Sequence, residues 1–107
     1  MVSLTSTGVG YSDGSGLSAQ LRAQGGLAWD GTALLFSDPG SLRIRRLVPG
    51  SGAAASAVQT WAGNGGSGLA SGPGDRASFG LPLGLWRNPL DGTVYVADGI
   101  GAIRAVR

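Results

Sequence analysis

The chain contains no histidine and no cysteine, and its charged side chains are of only two kinds. All eight basic residues are arginine and all six acidic residues are aspartate, so lysine and glutamate are absent as well. These absences exclude a Ser-His-Asp or Cys-His nucleophilic site, a disulfide and an ordinary zinc site within the chain. Proton transfer near neutral pH would need an aspartate whose pKa is strongly raised. We therefore expect that the chain is not an enzyme and holds no cofactor or metal.

Long apolar runs are also missing, since no stretch of about eighteen apolar residues occurs among the 107. We therefore expect no membrane span. The formal net charge of +2 is small and does not by itself indicate an acidic partner. Glycine is abundant, with 21 residues, yet 42% of the residues are hydrophobic and three are tryptophan. This apolar content is sufficient for one small domain with a core.

The sequence contains an internal repeat. Residues 8–27 align with residues 66–85 at a shift of 58, and five glycines of the first stretch then fall on glycines of the second. Farther along, a shift of 60 places Asp38 on Asp98, and upstream a shift of 56 places Val2 on Val58. Small changes of shift are what insertions in loops produce. The chain therefore consists of two copies of one unit.

Each copy has the pattern of short strands separated by turns. Apolar runs of about five residues alternate with turn signals, and no segment shows a capped apolar period of 3.6 residues. The pairs Asp30-Gly31 and Asp91-Gly92 favour tight hairpins, because glycine readily takes a positive φ. The predicted strands are Gly26–Trp29, Ala33–Ser37, Leu42–Val48 and Val58–Ala62 in the first copy, Leu83–Trp86, Thr93–Ala97 and Ala102–Val106 in the second, and Val2–Ser6 as a further fourth strand.

Several of these strands are apolar on both faces, as in "ALLF" and "VYV". A sheet that is apolar on both faces needs a layer on each side. Radial repetition, in which each sheet packs between two others like itself, meets this need. The pattern therefore indicates the blades of a β-propeller. We expect the tryptophans Trp29, Trp61 and Trp86 to pack between blades.

Specific motifs resemble the NHL repeat. They are P-x-G-L at Pro82–Leu85, D-G-x-V-Y-V-A-D at Asp91–Asp98 and R-I-R at Arg43–Arg45. The resemblance implies an all-β fold with two four-stranded antiparallel propeller blades, part of a larger or oligomer-completed ring of about six blades. On this basis, residues 1–7 form an outer strand that completes a neighbouring blade. Residues 8–65 form the first NHL-like repeat with its outer strand and linker, and residues 66–107 form the second repeat with three inner strands.

This strand order leaves an open sheet edge near each end of the chain. The edges are represented by Val2 and Leu4 in one strand and by Ile103 and Val106 in the other. Open edges recruit strands, so we expect them to be assembly edges. Their partner is protein, either other copies of the chain or the remaining blades of a larger one. Three copies would close a six-bladed ring, and both alternatives stay open.

The charged residues of the hairpins are predicted to be structural. Asp38 with Arg45, and Asp98 with Arg104, flank the same hairpin in the two copies and are expected to form ion pairs. Arg43, Arg45 and Arg46 form the densest basic run and are a candidate basic face. Some NHL propellers bind RNA on such a face, so the resemblance leaves nucleic acid open as a less favoured partner. The favoured interpretation is a blade strand with packed arginine stems.

Three functions follow from these patterns. The favoured one is a non-catalytic β-propeller scaffold that binds protein or peptide through its rim or channel and assembles by strand pairing between blades. The first alternative is part of a six-bladed propeller enzyme of the metal-carboxylate hydrolase or lyase type. The second is an RNA-binding NHL face. The absence of histidine and glutamate favours the scaffold, because an enzyme would need those groups from other blades.

Overall fold

The computed structural model describes residues 3–5, 13–16, 19, 25–64, 79–99 and 101–106. Within these ranges the chain forms short strands and one 3-10 turn, Ala53–Ala55. The strands are β1 (Gly14–Ser15), β2 (Leu27–Trp29), β3 (Leu34–Asp38), β4 (Arg43–Val48), β5 (Ala57–Ala62), β6 (Pro82–Arg87), β7 (Val94–Asp98) and β8 (Ala102–Val106). In this described part of the chain, no helix is long and apolar enough to cross a membrane.

The strands form two sheets in which every described pairing is antiparallel. The first sheet has the order β1-β5-β4-β3-β2 and the second has the order β6-β7-β8. The prediction of an all-β fold is confirmed. The first sheet differs from the predicted four strands, because β1 adds to β5 and gives it five, while the described residues of the second sheet form three strands, the number of inner strands expected there.

Turn chemistry explains why seven of the eight predicted strands begin and end within one residue of the observed ones. Gly31 (φ 99°) and Gly92 (φ 76°) have the positive φ that the two Asp-Gly pairs were expected to supply. The next turns differ between the copies. Leu42 takes a positive φ of 59° just before β4, whereas Gly101 (φ 108°) holds the matching place before β8. Glycine takes this conformation at less steric cost than leucine.

The prediction of a strand at Val2–Ser6 is wrong for the part that the structure describes. Residues 3–5 form a bend and belong to neither sheet. Leu4 instead packs against an apolar cluster on the first sheet of its own chain. Val2 lies outside the described residues. The alternation of Val2 and Leu4 is typical of a strand, but packing of Leu4 on the sheet overrides this local preference.

The main core lies between the two sheets, and a second cluster lies on the other side of the first sheet. Because side chains alternate along a strand, Leu35 and Phe36 face opposite ways. The core between the sheets contains Leu35, Ile44, Ala62, Phe79, Val94 and Val96. The side of the first sheet away from the second, here called the far face, carries Phe36, Leu47 and Val58, against which Leu4 and Ala19 pack. The first sheet is therefore apolar on both faces, as the sequence predicts.

Trp61 alone among the tryptophans packs against the core between the sheets. Trp29 is 53% exposed and Trp86 is 58% exposed. Trp86 stacks instead on Tyr95, with ring centroids 5.9 Å apart. Within this chain, the expected packing between sheets is therefore observed for Trp61, whereas Trp29 and Trp86 are exposed.

The two sheets approach most closely where β6 crosses the start of β2. The backbone N–H of Gly26 donates to the Leu83 carbonyl at 3.2 Å. A Cβ atom on Gly26 would lie 2.7 Å from the Leu85 nitrogen and 2.8 Å from the Gly84 Cα. Such distances are shorter than real Cβ atoms show. Glycine at position 26 therefore allows the two backbones to meet.

Candidate functional site

Asp38 and Arg45 form a buried ion pair on the far face of the first sheet. Asp38 ends β3, and Arg45 lies in β4 opposite Phe36. The Arg45 Nη1 donates to the Asp38 Oδ2 at 3.0 Å, and both side chains are 0% exposed. Burying two charges costs desolvation free energy, which is offset only when the two groups attract each other with good hydrogen-bond geometry. The pair therefore fixes the β3–β4 hairpin against the residues that cover it.

The same guanidinium reaches a second carboxylate, on Asp13. The Arg45 Nη2 donates to the Asp13 Oδ1 at 3.0 Å, and the Thr60 hydroxyl donates to that same oxygen at 3.2 Å. Asp13 immediately precedes β1, and Thr60 is the β5 residue opposite Arg45. Arg45 thus connects the residue before β1 to β3, β4 and β5. Sequence reasoning missed Asp13, because it lies 32 residues from Arg45 and no motif connects them.

Asp98 and Arg104 form the matching pair in the second sheet. The Arg104 Nη1 lies 3.4 Å from the Asp98 Oδ2, which is longer than in the first sheet. The Asp98 carboxylate also accepts the backbone N–H groups of Gly80 and Leu81, at 3.0 and 2.8 Å. The Arg104 guanidinium lies over the Phe79 ring, 5.6 Å from its centroid. These backbone donors therefore also hold the Asp98 carboxylate in place.

The structure thus brings together the two residues of each predicted pair. In both copies, the aspartate that ends one strand, β3 or β7, accepts a hydrogen bond from the arginine guanidinium of the next strand. A carboxylate that is already held by donors stabilises the turn and is poorly placed to take a proton from a substrate. Among the residues that the structure describes, no group of three His, Cys, Asp or Glu is placed to hold a metal ion.

A third arginine–aspartate pair lies at the opposite end of the first sheet. The Asp30 Oδ1 accepts hydrogen bonds from the backbone N–H groups of Thr32 and Ala33. Its Oδ2 accepts a hydrogen bond from Nε of Arg46 at 2.8 Å. Partial burial acts to raise the pKa of Asp30. The hydrogen bonds from Arg46, Ala33 and Thr32, with the positive charge of Arg46, outweigh burial and lower the pKa from 3.8 to about 2.

This lowered pKa predicts a loss of stability in acid. Because the folded-state pKa of Asp30 lies below its unfolded value, its contribution is present above about pH 4 and disappears as the pH falls towards 2. Solvent screening at this partly exposed pair limits the contribution to about 1 kcal/mol. Urea unfolding at pH 5 and pH 2.5 measures it. Asp30→Asn, which keeps the turn acceptor, should reduce the difference between the two pH values, and Arg46→Gln should do the same. An unchanged difference in both variants would contradict this assignment.

The three arginines of the candidate basic face do not form one exposed surface. Arg45 is buried with Asp38, and Arg46 is directed to the other face, towards Asp30. Arg43 donates to the backbone carbonyls of Ser41 and Asn64, at 3.2 and 3.4 Å. These contacts match the interpretation of a blade strand with packed arginine stems more closely than a phosphate-binding face.

The outer edge of β8 differs from the equivalent edge in the first sheet. There, β4 is paired along its outer edge with β5, with Leu47 opposite Val58. In the second sheet, β8 pairs with β7 and ends the sheet, as far as the described residues extend. Ile103 in β8 is 75% exposed, whereas Val106 packs against the core between the sheets. Of the four predicted assembly residues, these two therefore lie on an open strand.

Two antiparallel sheets in this arrangement have a counterpart among solved structures. The chain resembles a nutrient-binding protein. The matching crystal structure is that of an auxiliary nutrient binding protein from Bacteroides thetaiotaomicron VPI-5482, with a TM-score of 0.70 and 25% identity. The match covers 83% of this chain and 23% of the other, so this chain spans about a quarter of the nutrient-binding protein. Neither a protein-family model nor a curated protein matches the chain.

Proposed function

We propose that the two sheets are consecutive NHL-like propeller blades and that the chain is a non-catalytic scaffold that binds protein by strand addition. The site is the outer edge of β8. The observation that carries the proposal is the contrast between β4, which has β5 along its outer edge, and β8, which ends its sheet in the described part of the chain. An exposed strand edge offers a row of backbone donors and acceptors to an incoming strand.

The charged groups support a scaffold over the alternatives. Asp38 and Asp98, the carboxylates that a metal-carboxylate enzyme could use, are engaged by Arg45 and Arg104. Arg45 is buried and therefore cannot contact RNA. The name of the solved structure, a nutrient-binding protein, describes a binding role. Both faces of the first sheet are apolar, which agrees with a ring of about six blades completed by other copies or further blades.

The first sheet indicates which strand the β8 edge should accept. β5 fills the matching position, so a peptide with the sequence of residues 57–64, AVQTWAGN, is a direct probe. Titrated with the full chain, the fluorescein-labelled peptide should bind saturably with a Kd of about 10–100 µM by fluorescence anisotropy. Hydrogen exchange of the backbone amides of residues 102–106 should slow when the peptide is bound, because these amides become paired.

Two control peptides distinguish strand pairing from non-specific adhesion. Each carries N-methyl groups on alternate residues, one set on the odd positions and the other on the even positions. Only one of these sets removes the donors that face β8, because successive N–H groups of a strand point to opposite edges. One control should therefore bind at least about tenfold more weakly while the other binds normally. Equal binding of both, or no saturation by about 1 mM peptide, would refute the proposal.

A further inference from the structure

The outer face of the second sheet, formed by Trp86, Tyr95, Ala97, Ile103 and Ala105, is apolar and open. Ile103 is 75% exposed and Trp86 is 58% exposed. Val94, Val96 and Leu85, which alternate with these residues, face the core between the sheets. No residue of this outer face carries a charge. Apolar faces of this kind mark interaction sites.

The first sheet shows what covers the same face in the other copy. The pairing registers make Tyr95 the counterpart of Leu35, and Ile103 the counterpart of Ile44. Leu35 is 1% exposed and Ile44 is 0% exposed, because the second sheet packs on them. Strand β6 contributes to this cover by contacting β2 and β3, and Phe79, Val94 and Val96 pack in the same cluster. The face that is buried in the first sheet is therefore open in the second.

The other side of the molecule is open at the complementary position. Leu27 of β2 is the counterpart of Leu85 of β6, since each lies opposite the matching residue of the next strand. Leu85 packs against the core between the sheets, whereas Leu27 is 62% exposed. Trp29, two residues along β2 on the same side, is 53% exposed. Leu4 and Ala19 cover the cluster of Phe36, Leu47 and Val58, so the open part of the far face is on β2.

A glycine marks the expected point of contact. Gly26 is required because backbone atoms of β6 lie within 2.9 Å of the place that a Cβ would occupy. Among the residues that the structure describes, an added Cβ on its counterpart in the second sheet, Gly84, would have one neighbour, the Ala97 Cβ at 4.0 Å. The space that β6 occupies at Gly26 is therefore open at Gly84 within the described structure. This is the space that a strand equivalent to β6 would fill.

From these matched surfaces we infer that a second copy of this chain docks head-to-tail on the outer face of the second sheet. Its β2 lies across β6 and β7, as β6 lies across β2 and β3 within one chain. Leu27 and Trp29 of one copy then contact Trp86 and Tyr95 of the other. The interface is heterologous, so it generates closed rings or open chains rather than a symmetric pair. The inference deepens the proposed scaffold function by naming a partner and a surface other than the β8 edge.

The area of the outer face of the second sheet limits how tightly two copies can bind. Three strands of five residues cover about 17 by 14 Å, or about 240 Å² of flat area. A stable interface buries about 800 Å² per partner, so one such contact is weak. We expect association in the range of about 10–100 µM, strengthened if a ring closes.

Sedimentation velocity of the full chain from about 1 to 500 µM tests this inference. Wild type should associate with rising concentration. Ile103→Lys, which disables the outer face, and Leu27→Asp, which disables the β2 side, should each stay monomeric. Mixed together, the two variants should form a 1:1 pair, because each keeps the surface that the other lacks. Leu90→Lys is the matched control, since Leu90 is 93% exposed in the β6–β7 turn, and it should associate as wild type does.

Three outcomes would overturn the inference. Wild type could stay monomeric throughout, or Leu27→Asp could associate as wild type does, which would indicate a symmetric contact of the outer face with itself. Alternatively, an excess of the 57–64 peptide could dissolve the wild-type assembly, which would place the contact at the β8 edge. Peptide binding is measured separately on Leu27→Asp, whose β8 is unaltered, so failure of docking and failure of strand addition are distinguishable.

Discussion

Replacement of Arg45 with methionine should lower the free energy of unfolding by about 3–5 kcal/mol. Methionine keeps much of the apolar stem, so the loss comes from the guanidinium. Asp38, 0% exposed, then lies buried without the cation that holds its Oδ2 at 3.0 Å. A chain of this size is stable by only about 5–15 kcal/mol, so much of the total is lost. Thermal and urea unfolding followed by circular dichroism measure the effect.

The second copy provides the matched control. Arg104→Met should cost only about 1–2 kcal/mol, because the Arg104 side chain is 14% exposed and its Nη1 lies 3.4 Å from the Asp98 Oδ2, a longer and less buried pair than the one in the first sheet. In the first sheet, adding Asp38→Asn to Arg45→Met should recover part of the loss, since it removes the buried charge. Equal losses at Arg45 and Arg104, or no recovery in the double variant, would show that burial of the charge is not the cause.

Alanine at Gly26 should destabilise the chain by about 2–3 kcal/mol through steric overlap alone. The added Cβ would meet backbone atoms of Leu85, Gly84 and Leu83 within 2.9 Å, and backbone cannot move aside as a flexible side chain can. The two sheets would have to separate, which exposes apolar surface between them. Urea unfolding at about 1 µM chain, below the expected association range, measures the effect on the monomer.

The control for this variant is Gly84→Ala on the facing strand. Within the described part of the chain, its Cβ would meet the Ala97 Cβ at the ordinary distance of 4.0 Å, so stability should change by less than about 0.5 kcal/mol. At high concentration the same variant should weaken head-to-tail association. If Gly84→Ala costs as much as Gly26→Ala, the loss reflects a general intolerance of these strands to alanine and not the meeting of two backbones.

Strand positions were predictable because turn residues and apolar runs are local signals. Asp30-Gly31 and Asp91-Gly92 locate the β2–β3 and β6–β7 hairpins, and the ion pairs of Asp38 and Asp98 lie across the next hairpins, β3–β4 and β7–β8. What was not predictable depends on distant contacts. The bend that contains Leu4 is set by packing on the first sheet, and β1, only Gly14–Ser15, has no apolar pattern at all. Local propensity is a weak guide where tertiary contacts decide.

In the candidate site as well, local features were predictable from the sequence and features that depend on distant contacts were not. The sequence shows that Arg45 and Arg46 are adjacent. Because successive side chains of a strand point to opposite faces, Arg45 pairs with Asp38 on one face of the sheet and Arg46 pairs with Asp30 on the other. Exposure of Trp29 and Trp86 is also beyond the reach of pattern reasoning. Periodicity indicates that a side of a sheet is apolar, but it does not indicate whether the layer that covers this side lies in the same chain.

From β2 to β5, and again from β6 to β8, neighbours in space are neighbours in sequence. Each of these contacts closes a short loop, so the chain entropy that is lost when either sheet forms is small. Folding that begins with contacts between residues close in sequence is fast for a β-protein. The packing of the two formed sheets against each other is then the rate-limiting step. Two sets of hairpins with the same strand arrangement also compete for the same pairings. Crowded nascent chains would therefore exchange strands most readily before this packing takes place.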